Sequence, residues 1–268
     1  MIRVEERPLP AEAERGLQAW QAEIDGVVDF ARRVETGKQR FSGKNRRDNA
    51  VFAVVRQVLA EMCRGVVRCM YCEDSLADEI EHHKPKHFFP SQVFQWKNYL
   101  FSCGPCNGTK RNQFSVFTDS GEMIVDGELV GRLAEPVGDS VLLNPRVDDP
   151  LEFMQLDLVG HTYNFFPTTD DGTVSRRRAE YTIEILRSKR RDIGPATRRK
   201  AYEGYRARLT EYIFHRDRGG DAVHLDQLKK ALLGESHPTV WHEMLRQQKD
   251  IPELKALFDQ AREALEWR

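Results

Sequence analysis

Four of the five cysteines fall into two pairs, Cys69-x2-Cys72 and Cys103-x2-Cys106, and no other feature restricts the fold as tightly. A thiolate is a soft ligand suited to tetrahedral zinc. A gap of two residues lets both sulfurs of one turn reach a single ion at about 2.3 Å. Two such knuckles close a four-cysteine site with no position left for water, so the expected zinc is structural. The N-terminus, MIRVEERPLPAEAERG, lacks the apolar core of a secretory signal, and a cytoplasmic setting is expected. Thiols stay reduced there, which argues against a disulfide framework. Cys63 is left over in an apolar helical pattern and is expected as a small buried hydrophobe.

Around the cysteines the chain reads as helical at both ends. AERGLQAWQAEI and NAVFAVVRQVLAEMC carry apolar residues at three- and four-residue spacing. Between them, ETGKQRFSGKNRRD reads as an exposed basic loop, with Asp48 or Asn49 capping the second helix. GEMIVDGELVGRL alternates about Asp126-Gly127, a hairpin signal. Short apolar runs broken by Asn-Pro, Asp-Pro and Asp-Gly follow, as loops and short strands. From Arg176 onward five helical segments are expected, one of them starting near Thr239 behind Pro238. The expected regions are 1–64 (helical), 65–118 (the cysteine/histidine module), 119–174 (irregular and β) and 175–268 (helical). The fold class is therefore α+β and mostly α-helical, with a metal-bearing centre enclosed by N- and C-terminal helices.

Forty-one basic against 42 acidic residues leave a net charge of -1. Any nucleic-acid contact must then be local. The runs at 32–47 and 187–200 each hold seven Lys or Arg. They are solvated helix faces unless a nucleic-acid site lies beside them. Nothing approaches a membrane span, so no membrane partner is expected.

The segment between the knuckles decides the function class. EDSLADEIEHHKPKHFFPSQVFQWKNYLFSCGPCNGTK holds an acid–His–His run, then Trp96, Asn98 and Asn107. A zinc ribbon used only for binding has no need of these. Here the residues resemble the zinc-bearing branch of the HNH nuclease family. That module is a two-stranded hairpin followed by a helix around one catalytic divalent metal. Its pattern is matched in order by Glu81–His82, by Asn98, and by Cys103-Gly-Pro-Cys106-Asn107-Gly-Thr-Lys110. The resemblance implies phosphodiester cleavage, which needs a base for water and a metal to neutralise charge on the phosphate. An imidazole suits the first task at neutral pH, and hard oxygen ligands suit Mg2+ or Mn2+. His82 is therefore expected as general base, with Glu81 and Asn107 as metal ligands. Asn98 would hold the loop carrying His82 through a backbone hydrogen bond, and Lys110 would meet the phosphate.

Neighbours in a strand point to opposite faces, so only one of His82 and His83 addresses the metal side directly. The family register selects His82. His83 is expected at the surface, or as a secondary metal or DNA contact, and His87 at the surface. Glu79 shares the face of Glu81 and is a second candidate ligand.

Beyond the module, LLNPRVDDPLEFMQLDLVG and AEYTIEILRSKRRDI extend the resemblance to the PtuB family, the HNH component of Septu anti-phage systems. Members typically read IEHFRPK, where this chain has His83 and Lys84. The likeness runs from about Cys69 to Asp192, and it implies DNA as substrate and a PtuA-like ATPase as partner. The chain has no phosphate loop of its own, so nucleotide control would come from outside. The alternatives are a restriction-type or other stand-alone HNH nuclease, and a zinc-ribbon adaptor without activity.

Overall fold

A computed structural model describes residues 1–63, 66–187 and 193–267. Its first helix, α1 (Ala11–Asp25), buries Ala13, Leu17, Gln21 and Ile24 at three- and four-residue spacing. Gln21 is polar but fully used. Its amide donates to Pro90 O at 3.0 Å and its oxygen accepts from Phe94 N at 2.8 Å, so α1 pins a loop of the centre.

Helix α2 (Phe30–Lys44) takes in most of the segment expected as a basic loop. The stripe that folds it is sparse: Val34, Gly37 and Phe41 are its buried residues. Gly37 lets the helix come so close that a Cβ there would lie 3.0 Å from Val93 Cγ2. Packing outweighs a glycine penalty of about 1 kcal/mol. Asn49, one of the two expected caps, accepts from Phe52 N at the start of α3 (Ala50–Glu61).

Strands β1 (Glu79–His82) and β2 (Tyr99–Ser102) pair antiparallel, with Glu79 opposite Ser102 and His82 opposite Tyr99. Helix α4 (Gly104–Lys110) follows directly. Next comes a small antiparallel sheet in which β3 (Val116–Phe117) lies between β4 (Met123–Ile124) and β5 (Asp139–Ser140). The turn joining β3 to β4 is at 118–122, where Gly121 takes φ 78° and Thr118 O accepts from Gly121 N. The hairpin expected about Asp126-Gly127 is instead a helical turn, α5 (Asp126–Leu129). A positive φ is what a tight hairpin asks of glycine, and Gly121 supplies it whereas Gly127 does not.

Helix α6 (Pro150–Phe153), β6 (Met154–Leu156) and its antiparallel partner β7 (Phe165–Pro167) complete the connecting region. The Leu-Leu-Asn-Pro and Asp-Asp-Pro motifs are structural here. Asp148 accepts from Asn144 N and from both terminal nitrogens of Arg178, while Asp149 caps α6. Arg146, between them, donates to Trp96 O and Tyr99 O and so holds the start of β2. The C-terminal part is α7 (Val174–Arg187), α8 (Ile193–Asp217), α9 (Ala222–Leu233), α10 (Pro238–Gln247) and α11 (Pro252–Gln260). Of the basic run at 187–200, residues 188–192 lie outside the described residues.

Leu17, Phe52, Leu59, Tyr99 and Leu100 share one core with Cys69, Cys103 and Cys106. Cys63, half-buried, packs against it and donates to Arg68 O at 3.2 Å. Tyr205, Leu209, Trp241, Met244 and Phe258 build a second core among the C-terminal helices. The chain is a mostly helical α+β protein, and among the described residues no helix is long and apolar enough to cross a membrane.

Candidate metal centre

The ligand sulfurs of Cys69, Cys72, Cys103 and Cys106 all lie within 4.8 Å of one another, with Cys72 and Cys103 3.9 Å apart. Four sulfurs at about 2.3 Å from one ion would stand nearly 4 Å from each other, so the cluster fits a tetrahedral zinc. Cys69, Cys103 and Cys106 are buried and Cys72 is half-buried, and four sulfurs fill a tetrahedral site. Hydrogen bonding from its neighbours, Cys106 first, brings the Cys103 thiol down to about 7. The same network lowers Cys72 and raises Cys69 and Cys106, so without an ion the four sulfurs share protons unequally.

Tyr71 stands inside the first knuckle, and its hydroxyl donates to Glu81 Oε2 at 2.7 Å. Burial, with the charge of Glu81 next, holds that phenol well above its ordinary value, so it remains a donor. Lys110 Nζ lies 2.6 Å from Glu81 Oε1 and also donates to His82 O at 2.8 Å. Glu81 is 2% exposed and Lys110 0%. The lysine expected to meet phosphate is thus spent inside the protein on the strand it braces.

The other end of the same face is open. Asn107 Nδ2 donates to Glu79 Oε2 at 2.7 Å, and Glu79 is exposed. Two residues along a strand advance about 6.6 Å and three along a helix about 4.5 Å. Laid on β1, α4 therefore sets Asn107 over Glu79 and Lys110 over Glu81. The hard oxygens of Glu79, Glu81 and Asn107 suit a divalent cation in type. Glu81 becomes available to one only by exchanging Lys110 or Tyr71. The expected pair of Glu81 and Asn107 makes no direct contact; Asn107 meets Glu79 instead.

His82 points to the opposite face. Its ring lies edge-on to Phe41 at 4.4 Å and to Tyr99 at 5.2 Å. Nε2 is 2.9 Å from Val93 O, a carbonyl that also accepts from Tyr99 Oη at 2.8 Å. A carbonyl only accepts, so Nε2 carries the proton and Nδ1 keeps its lone pair. Among the described residues Nδ1 has no hydrogen-bond partner, and the residue as a whole is 4% exposed. Burial, with the charge of Lys86 next, holds the imidazole well below its ordinary value and keeps it neutral.

His83, expected at the surface, is 2% exposed, and both its ring nitrogens are sealed without a hydrogen-bond partner. Leaving the strand, it packs edge-on to Phe114 at 5.6 Å. The aromatic ring it packs on, Phe114, is distant in sequence, which is why strand alternation did not reveal its burial. Asn98 does hold the loop: its side chain accepts from Lys84 N at 2.7 Å and donates to Lys84 O and Gln92 O. His87 is half-buried. Sequence reasoning missed Tyr71 and the Val93 carbonyl. A buried tyrosine hydroxyl needs a partner, and that was the available signal for the first.

No family model matches the chain, and no solved structure does. Among curated proteins the chain is similar to the Septu protein PtuB of Bacillus thuringiensis, 39% identical over 61 residues, a match covering 21% of this chain and 23% of that relative.

Proposed function

We propose that the chain is a metal-dependent HNH endonuclease that hydrolyses DNA phosphodiester bonds, the effector of a cytoplasmic anti-phage complex governed by a PtuA-like ATPase. The observation that carries this reading is the combination, on one strand–strand–helix unit clamped by four cysteines, of a neutral imidazole whose Nε2 is fixed by Val93 O and of hard oxygens on the opposite face of β1. His82 is the general base: Nδ1 takes the proton of an attacking water while Val93 O fixes the tautomer. Asn98 is a positioning residue, holding the loop that carries Val93. A bound Mg2+ or Mn2+ would neutralise charge on the phosphate and departing oxygen. Glu81 and Asn107, with Glu79, are the residues to hold it. Lys110 braces β1 from within. Zinc on the four cysteines serves the fold alone. The defence role and the ATPase partner rest on the similarity to the Septu protein.

Glu81, with both oxygens engaged by Tyr71 and Lys110, favours a second reading: a zinc-ribbon adaptor in which this acid is structural. One experiment separates the two. Purified protein with magnesium or manganese, alone and with a PtuA-like ATPase, is incubated with plasmid DNA. The nuclease cuts, and His82→Ala loses activity by 100-fold or more while keeping its zinc. Because the imidazole is held below about 6.5, the acid limb of the rate lies below that pH. Intact plasmid under every condition leaves only the adaptor.

A further inference from the structure

With Lys110 sealed against Glu81, the side of the hairpin that carries His82 needs another cation to receive a phosphodiester. Two lysines stand there outside any ion pair among the described residues, with Glu35 lining the same cleft as Lys38. Lys86 places its ammonium 5.0 Å from the centroid of Phe41, the same ring that packs on His82. Lys38 lies one helical turn before Phe41 on α2 and lines a cleft with His87, Phe88 and Arg132. Among the described residues neither lysine has a carboxylate within 4 Å, although acids outnumber bases in the chain and nearby Arg40 and Arg46 are paired with Glu23 and Asp48. The backbone beneath Lys86 is fixed: Asn98 clamps Lys84, and Pro85 O accepts from both Phe88 N and Phe89 N.

We infer that Lys86 and Lys38 form the phosphate-binding pair of the site, gripping the DNA backbone beside His82. Two like charges held together against an apolar ring cost free energy, and a bound anion relieves that cost. Burial, more than any charge, holds the Lys86 ammonium below its usual range; Glu81 opposes that lowering, and Lys110 and then Lys38 add to it. A lysine over the face of Phe41 presents a point charge, which suits phosphate contact without base reading.

This inference rests on the nuclease reading, and its test distinguishes the two failures. Zinc-loaded full-length protein is titrated against a fluorescein-labelled DNA duplex by anisotropy, with calcium replacing magnesium, across a range of NaCl. Lys86→Ala and Lys38→Ala should each weaken binding about tenfold and flatten the slope of log K against log salt by about 1. Lys86→Arg should restore both, and Lys255→Ala, distant on α11, should change neither. Zinc content and melting temperature monitor folding, and Lys38→Ala, a change on a helix surface, provides the readout if the Lys86 variant unfolds. Parental affinity and slope in both alanine variants would overturn the phosphate pair while leaving the nuclease standing. A parent protein that binds no duplex at any salt would remove both.

Discussion

His82 and His83 are adjacent, equally buried, and opposite in consequence. The first has Val93 O on one nitrogen, whereas the second has two nitrogens sealed with nothing to bond. An orphaned buried polar group costs about 1–3 kcal/mol. Phe in place of His83, the residue typical of the resembling family, keeps the edge contact with Phe114 and removes the orphans. His83→Phe should therefore raise stability by about 1–3 kcal/mol, read as a higher urea midpoint at unchanged m value, with plasmid cutting retained. Both rings resist protonation when folded, burial being the first cause for each. The unfolded chain accepts those protons, so parental stability is present above about pH 6.5 and falls as pH drops below it, by at most about 1.4 kcal/mol per unit for each ring. His83→Phe should remove one of these two contributions; an unchanged acid slope would mean that His83 is not sealed in solution. The cysteine pairs were legible at this scale because their chemistry is local in sequence. The sealing of His83 and the hydroxyl of Tyr71 on Glu81 were not, since each depends on side chains brought from elsewhere.

Helix α2 governs the centre through a glycine. Its approach at Gly37 leaves only 3.0 Å from a would-be Cβ to Val93 Cγ2, and Val93 O holds the imidazole of His82. Gly37→Val would push a branched side chain into that contact. Overpacking of this kind costs about 1–3 kcal/mol, more than the few tenths gained from helix propensity. The variant should lose thermal stability and, beyond that, cleavage activity, because the tautomer-fixing carbonyl shifts. Gly43→Val is the comparison: nothing lies within 4 Å of a Cβ there, so it should be neutral or slightly stabilising. Equal behaviour of the two variants in melting and cleavage would mean that α2 does not set Val93. Long helices with full stripes, such as α1 and α3, could be read from the sequence. The C-terminal half of α2 could not, because two glycines and a basic run obscured a stripe of three residues whose partner, Val93, lies in a distant loop.

At the scale of the whole chain the zinc clamp belongs to one core and not to the other. Cys69, Cys103 and Cys106 pack among α1–α3 and the β1–β2 hairpin, while the core of Tyr205, Trp241, Met244 and Phe258 contains no cysteine. The clamp nevertheless reaches the second core where α10 begins, through Glu73 and its neighbour Asp74, which lies 3.5 Å from His237. Glu73, next to Cys72, accepts from Thr239 N at 3.1 Å and Thr239 Oγ1 at 2.7 Å, where α10 begins. Structural zinc binds with about 10–16 kcal/mol at neutral pH, comparable to or larger than the 5–15 kcal/mol that typically holds a domain. Removing it should therefore unfold the first core. The second core has its own apolar contacts and loses the tethers at the start of α10, from Glu73, Asp74 and Met1. Amide hydrogen exchange after chelation should show protection lost across α1, α3 and β1–β2, retained in α8 and the body of α10, and weakened around Thr239. Cys69→Ser should reproduce that pattern without chelator. Uniform loss through α8 and α11 would make the chain a single cooperative unit, whereas undiminished protection in β1–β2 would mean that the four cysteines hold the hairpin without a metal.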